Sequence, residues 1–91
     1  MGNRVTINKE VSVTAVYFSN SRELRSFPKR IEFEGQEYTF LDGLRCLVQK
    51  GQRLIQIFDM TDGQSAYRLR FDTQDKLWTL VNRTELPRVL A

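Results

Sequence analysis

The 91-residue chain contains no histidine and a single cysteine, Cys46. Without histidine, it lacks the commonest general base and metal ligand near neutral pH. One cysteine excludes an intramolecular disulfide and suits a reducing compartment. Because Cys46 lies in the apolar stretch LRCLV, we expect a small buried side chain at this position rather than a reactive thiol.

Long hydrophobic runs are also missing. No segment approaches the roughly 18 apolar residues of a membrane-spanning helix. The first residues, MGNRVTINKEV, do not contain the apolar stretch of a secretion signal. We therefore expect a cytoplasmic protein that does not enter a membrane.

Catalytic motifs are absent from the sequence as well. There is no Ser/His/Asp or Cys/His set, no phosphate-binding glycine loop, and no CxxC or HExxH spacing. Several aspartates lie among turn-forming residues without the spacing of a calcium loop, which favours tight turns over a metal site: Asp59, Asp62, Asp72 and Asp75. We predict no enzyme activity, no cofactor and no metal.

What the chain does contain is enough apolar material to fold. The hydrophobic fraction is 41%, which argues against disorder. The length suits one domain. We predict an N-terminal tail at residues 1–9, a single β-rich domain at residues 10–83 and a C-terminal tail at residues 84–91.

The strongest structural signal is in residues 53–82, where RLIQIFDM, QSAYRLRF and LWTLVN are separated by turn-forming clusters. This pattern predicts an antiparallel β-meander. A loop at residues 61–63 would pair Ile57 with Tyr67, and the next turn would pair Phe71 with Trp78. The predicted core face is then Ile55, Ile57, Tyr67, Leu69, Phe71, Trp78 and Leu80.

Upstream segments add further elements to the meander. Residues 10–18 are rich in β-branched residues and predict a strand, and residues 29–41 predict a hairpin that turns at Gly35 and Gln36. In the segment 42–50, Leu44, Leu47 and Val48 follow helical spacing, so a short helix is favoured over a further strand. The predicted fold is α+β, mostly β: a small antiparallel sheet or half-barrel of about five strands with one short helix.

The other face of the meander combines aliphatic, aromatic and basic side chains: Leu54, Gln56, Phe58, Ala66, Arg68, Arg70, Thr79 and Val81. Phe58 with the two arginines could stack on bases and pair with phosphates, or could anchor a protein interface. The simplest alternative is that Phe58 is buried under another element, with the arginines at its edge.

Basic residues also cluster in residues 22–30, where four cations accompany one acid, Glu23: Arg22, Arg25, Lys29 and Arg30. Such a loop could contact phosphates. Charge runs are more often solvated loops, and the net charge of +3 is low for a nucleic-acid-binding protein.

The phrases FPKRIEFEGQEYTF, QIFDMTDG, YRLRFD and WTL, within residues 27–81, resemble short conserved hypothetical proteins of bacteria that have no assigned activity. The resemblance implies a compact domain with an aromatic hairpin followed by a meander, and it implies no catalytic residues.

From these observations we expect a non-catalytic module of the bacterial cytoplasm that binds an unknown protein partner or itself. The alternative is weak nucleic-acid binding. The expected interaction surface for a protein partner is the sheet face with Phe58, Arg68, Arg70 and Gln56, and nucleic-acid binding would use that face plus Arg22, Arg25, Lys29 and Arg30.

Overall fold

The computed structural model describes residues 4–18 and 25–86. These residues form seven strands: β1 (Arg4–Phe18), β2 (Ser26–Phe33), β3 (Gln36–Thr39), β4 (Asp42–Lys50), β5 (Arg53–Thr61), β6 (Ser65–Asp72) and β7 (Leu77–Glu85). Every neighbouring pair is antiparallel, and the strand order is β3-β2-β1-β7-β6-β5-β4. The fold is therefore one open antiparallel sheet whose edges are β3 and β4.

The predicted α+β class with five strands and a helix is wrong. Within residues 4–18 and 25–86 there is no helix, and hence none that could cross a membrane. The segment Asp42–Lys50 pairs with β5 along its whole length, from Asp42 opposite Thr61 to Lys50 opposite Arg53. A turn at Gly51 and Gln52 brings this pairing about, whereas a helix so short is only marginally stable by itself.

The first strand begins, and the last strand ends, within segments that we interpreted as tails. Strand β1 begins at Arg4, which pairs with Thr84, and β7 continues to Glu85. Val5, Thr6 and Ile7 supply the β-branched side chains that suit an extended strand.

The sheet bends at β1. One half consists of β2, β3 and the last part of β1, the other half consists of the first part of β1 with β7, β6, β5 and β4, and the core lies between them. The first part of β1 pairs with β7 and the last part pairs with β2, with register shifts in both ladders. Phe27 on β2 therefore meets Phe58 on β5, with ring centroids 5.9 Å apart, although three strands separate them in the sheet. Phe58 is only 2% exposed.

The link between β3 and β4 joins the two halves a second time. The amide of Phe40 donates to the carbonyl of Lys29 on β2, and the amide of Leu41 donates to the carbonyl of Thr61 on β5. The ring of Phe40 lies in the core, 5.1 Å from that of Tyr67. The chain thus crosses from one half of the sheet to the other at this link.

The register of the meander was predicted correctly at one turn and wrongly at the other. Phe71 lies opposite Trp78, and Leu69 lies opposite Leu80, as expected. Between β5 and β6, however, Met60 rather than Ile57 lies opposite Tyr67. A shift in register by an odd number of residues exchanges the two faces of a strand, so Phe58 and Met60 join the main core cluster in place of Ile55 and Ile57. Ile55 is nevertheless buried on the other face, with 3% of its surface exposed.

A carboxylate explains this register. Oδ1 of Asp62 accepts the amides of Gln64 and Ser65 at 2.9 and 2.8 Å, and Oδ2 accepts the hydroxyl of Tyr67 at 2.9 Å. The turn therefore spans residues 62–65, longer than the predicted loop. Although burial opposes ionisation, these hydrogen bonds hold the pKa of Asp62 below its ordinary value.

The hairpin between β2 and β3 also turns one residue earlier than predicted. Its turn residues are Glu34 and Gly35, both with positive φ, which is the type I′ geometry. Ile31 consequently lies opposite Tyr38 rather than Phe40. Because this change in register is an even number of residues, the apolar face is preserved.

The register of β5 can be tested by truncating one residue on each face. Phe58→Ala should lower the free energy of unfolding by about 3–5 kcal/mol, because it removes a ring packed against Phe27 and Trp78. Ile57→Ala, on the outer face, should cost much less, about 1 kcal/mol. Urea unfolding followed by Trp78 fluorescence measures both, and the reverse order would mean that the strand faces are assigned incorrectly.

The hydroxyl of Tyr67 should make stability depend on pH. Burial, followed by the hydrogen bond to Asp62, raises its pKa from 10.0 to about 12. The folded state therefore holds this proton up to a higher pH than the unfolded state does. The contribution of the neutral hydroxyl to the unfolding free energy is complete below pH 10 and is lost as the pH rises towards 12.

We expect wild type and Tyr67→Phe to differ in unfolding free energy below this range and to converge within it. Urea unfolding at a series of pH values, with tyrosinate absorbance as a check on ionisation, makes the measurement. A constant difference across the range would contradict the assigned pKa shift.

A candidate protein interface on strand β4

The structure separates the residues that we predicted to form a binding face. Phe58 and Gln56 lie on the inner face of β5, opposite Leu69 and Phe71 respectively. Arg68 and Arg70 alternate with Leu69 and therefore lie on the outer face of β6. The aromatic ring and the two arginines are on opposite sides of the sheet, so they cannot contact the same ligand together.

Arg68 is engaged in an ion pair on the outer face. Its Nε and Nη2 donate to Oδ1 and Oδ2 of Asp59 at 2.8 and 3.1 Å. This two-pronged contact raises the pKa of the guanidinium and offsets its charge. Arg70 is half-buried between Ile57 of β5 and Thr79 of β7, which lie opposite it on the two neighbouring strands.

The described basic residues of segment 22–30 lie on or just before β2, which three strands separate from β5. Arg22 is outside the described residues, and Arg25 is exposed just before β2. Nζ of Lys29 donates to the carbonyl of Phe40 at 2.8 Å. Arg30 contacts Thr39 at 3.3 Å and Glu37 at 3.8 Å. Because β1 and β7 lie between β2 and β6, the described members of the predicted surface do not form one patch.

The edge strand β4 carries three exposed apolar side chains, among them Leu44, the most exposed large hydrophobic residue in the described part of the chain; β1 also exposes Phe18, at 63%. Leu44 is 76% exposed, Leu47 is 51% exposed and Val48 is 37% exposed. Leu44 and Val48 share the outer face with Cys46 and continue the row formed by Ile55 and Ile57 of β5. Large exposed hydrophobic groups along an edge strand are unusual in a protein that does not bind something there.

The backbone of β4 also presents unpaired groups at this edge. Lys50 and Arg53 pair across a two-residue turn, so their main-chain groups bond each other. Since these groups alternate in direction along a strand, those of Arg45, Leu47 and Gln49 point away from β5. In the described part of the chain, no other strand lies beside them.

The charges of β4 are arranged in order along the strand. Asp42 is at its start, Arg45 is near its centre and Lys50 is at its end. Burial and the nearby charge of Asp42 together raise the pKa of the Tyr17 hydroxyl. Asp42 itself is exposed. The outer face of the edge therefore carries a negative and a positive end with apolar side chains between them, while Arg45 lies on the inner face.

The exposure of Cys46 also differs from the prediction. We expected a buried side chain, but Cys46 is exposed on the outer face, opposite Ile57. The apolar neighbours that suggested burial are themselves exposed because β4 extends beyond the packed core. Two signals in the sequence pointed to a strand: the alternation of Leu44, Cys46 and Val48, and the Gly51-Gln52 turn that follows.

The described residues contain no group of three or more potential metal-ligating side chains. In the same part of the chain, every buried side-chain nitrogen or oxygen has a hydrogen-bond partner. Asp72 is an example: its Oδ1 accepts the amides of Gln74 and Asp75, and Oδ2 lies 3.3 Å from Nη1 of Arg53. Despite the opposing effect of burial, these contacts hold its pKa below the ordinary value.

No family model matches the chain, and neither the curated proteins nor the solved structures with which it was compared gave a match.

The start of β4 depends on a glycine that a larger residue should disrupt. A β-carbon at Gly43 would overlap the buried side chain of Met60 and lie 2.9 Å from the carbonyl oxygen of Asp59. Gly43→Ala should therefore lower the unfolding free energy by about 1–3 kcal/mol. In a Met60→Ala background the same change should cost less, because the overlap with Met60 is removed while the close contact with the Asp59 carbonyl remains, and urea unfolding of all four proteins tests this. Equal costs in both backgrounds would contradict the assigned contact.

Proposed function

We propose that this protein is a small non-catalytic interaction module that binds an extended segment of a protein partner along the open edge of β4. In such strand addition, main-chain hydrogen bonds provide affinity and alternate side chains provide selectivity. The single observation that carries the proposal is the edge of β4, where outward main-chain groups coincide with the exposed side chains of Leu44, Leu47 and Val48.

The other edge of the sheet provides a comparison. Strand β3 has four residues, and one of them is the exposed Glu37. Short length and charge are the usual devices that prevent unwanted strand pairing. Strand β4 has nine residues and also carries charges, but its outer face from Leu44 to Val48 is apolar, so it is longer than β3 and is unprotected on that face. The contrast supports β4 as the binding edge.

The positions of the perturbed carboxylates support a non-catalytic function. Asp62 and Asp72, whose pKa values are lowered, both accept backbone amides of the turns in which they lie. Perturbed groups of this kind can mark active sites, but the turn hydrogen bonds together with nearby arginines are the causes of both lowered pKa values.

Nucleic-acid binding has less support from the geometry. Phe27, Phe40, Phe58 and Tyr67 are buried and offer no face for a base to stack on. Several cations are already paired with carboxylates: Lys9 with Glu34, Arg30 with Glu37, Arg53 with Asp72, and Arg68 with Asp59. We therefore favour a protein partner, and we propose the bacterial cytoplasm as its compartment, where the free thiol of Cys46 would remain reduced.

A strand-forming peptide can test this function directly. The peptide ETVTVTVTK has the length of β4 and, bound antiparallel, places its Glu beside Lys50 and its Lys beside Asp42. Titrated into labelled protein at a concentration where sedimentation shows monomers, it should shift the amide signals of β4. It should also slow hydrogen exchange at the outward amides of Arg45, Leu47 and Gln49.

The matched control is ETVPVPVTK, in which two prolines remove the central amides that would bond to Leu47 and Arg45. It should produce neither effect. Shifts that are equal for both peptides, or that are confined to another strand, would contradict the proposal. So would the absence of any shift at millimolar peptide.

A further inference from the structure

The sequence of β4, DGLRCLVQK, is complementary to itself when it is reversed. Its first residue is an acid and its last is a base. Leu44 and Val48 lie at equal distances from the central residue, Cys46. A strand with this pattern can pair antiparallel with an identical strand so that, on its outer face, unlike charges meet at both ends and Leu44, Cys46 and Val48 meet between them; on the inner face Arg45 then lies opposite Leu47.

We propose that the partner of β4 is a second copy of this chain, paired antiparallel through β4 about a two-fold axis that passes beside Cys46. This inference rests on the proposed function, since it names the occupant of the same edge. The dimer interface is isologous, and the two open sheets join into one continuous sheet.

Symmetry limits the choices of register. A two-fold axis perpendicular to the sheet keeps the outer faces on one side, so one residue of β4 must lie opposite itself. If the axis passed beside Arg45, the Arg45 side chains of the two copies would lie opposite each other with like charges. If it passed beside Leu47, Lys50 would lie opposite Leu44 of the other copy. Centring on Cys46 uses all nine residues and places Asp42 opposite Lys50 of the other copy at both ends.

The side chains then match on the outer face. Leu44, which is 76% exposed in the single chain, lies opposite Val48 of the other copy, and the reverse contact is formed by symmetry. The row formed by Ile55 and Ile57 lies beside these pairs on each side. Dimerisation would therefore cover the apolar part of the edge, while the charged ends remain near solvent.

The backbone is also compatible with this register. The groups of Arg45, Leu47 and Gln49 point to the open edge, so in the dimer Arg45 and Leu47 of the other copy form a hydrogen-bonded pair. Cys46 then lies at a pair without hydrogen bonds, where the two strands bring opposite side chains closest together. The Cys46 thiols of the two copies are neighbours in this arrangement.

Sedimentation equilibrium of the full chain over a range of concentrations tests the dimer, and a charge reversal tests its register. Lys50 is exposed, so Lys50→Asp should leave the fold intact. It replaces two attractive pairs with two repulsive ones and should raise the dimer dissociation constant by about tenfold. The double variant Asp42→Lys/Lys50→Asp restores unlike charges and should recover most of the wild-type value.

Cross-linking tests the register independently of charge. Diamide oxidises two thiols to a disulfide and accepts the electrons and protons that they lose. In wild type it should link two copies through Cys46. A mixture of Leu44→Cys/Cys46→Ser and Val48→Cys/Cys46→Ser should form the mixed dimer, whereas each variant alone should form few disulfides.

The outcomes separate this inference from the proposed function. A dimer with charge-reversal rescue and mixed cross-links supports both. A chain that is monomeric at every concentration but binds the strand peptide overturns the second copy as the partner and leaves β4 as a binding edge. A monomer that binds no peptide overturns both. A dimer that is insensitive to Lys50→Asp and does not cross-link overturns the β4 pairing.

Discussion

The contact between Phe27 and Phe58 is the interaction on which the rest of the structure depends. A flat antiparallel sheet of this size would leave both of its faces in water. The two rings come from strands that are far apart in the sheet, and they meet edge to face only because the sheet bends at β1. Burying them between the two halves supplies the hydrophobic stabilisation that one layer lacks.

The position of Phe58 depends in turn on the Asp62 turn. The carboxylate binds the amides that follow it and the hydroxyl of Tyr67, and this fixes how many residues the turn contains. One residue more or fewer would rotate β5 so that Ile57 faced inward. A polar network in the turn thus selects which of two apolar sets on β5 becomes the core.

The same bend leaves the two edges of the sheet unequal. The core covers β1, β2, β5, β6 and β7, while β4 extends past it and keeps its apolar side chains in solvent. Gly43 allows Met60 to close the core just where β4 begins. The unprotected edge is therefore a consequence of where the core ends, and it is the feature on which the interaction function and the paired dimer are proposed.

Local patterns in the sequence were enough to predict the β-meander and the pairing of Phe71 with Trp78 across its second turn. Turn residues and alternation act over a few neighbours, so they can be read without the fold. The pairing of β5 with β6, and with it the burial of Phe58, could not be read, because β5 has an apolar set on each face. Helical spacing in β4 was misleading for a similar reason: Leu44, Leu47 and Val48 fit the period of a helix, while Leu44, Cys46 and Val48 fit the alternation of a strand.

The sequence by itself determined that the chain folds as a small β-rich domain without recognisable catalytic motifs. The tertiary structure alone decided which face of β5 is inside, and that Arg68 and Phe58 lie on opposite sides of the sheet. It also decided that β4 is an exposed edge. These outcomes depend on contacts between strands distant in the chain, where the length of one turn and the bend of one strand choose between patterns that are locally equivalent.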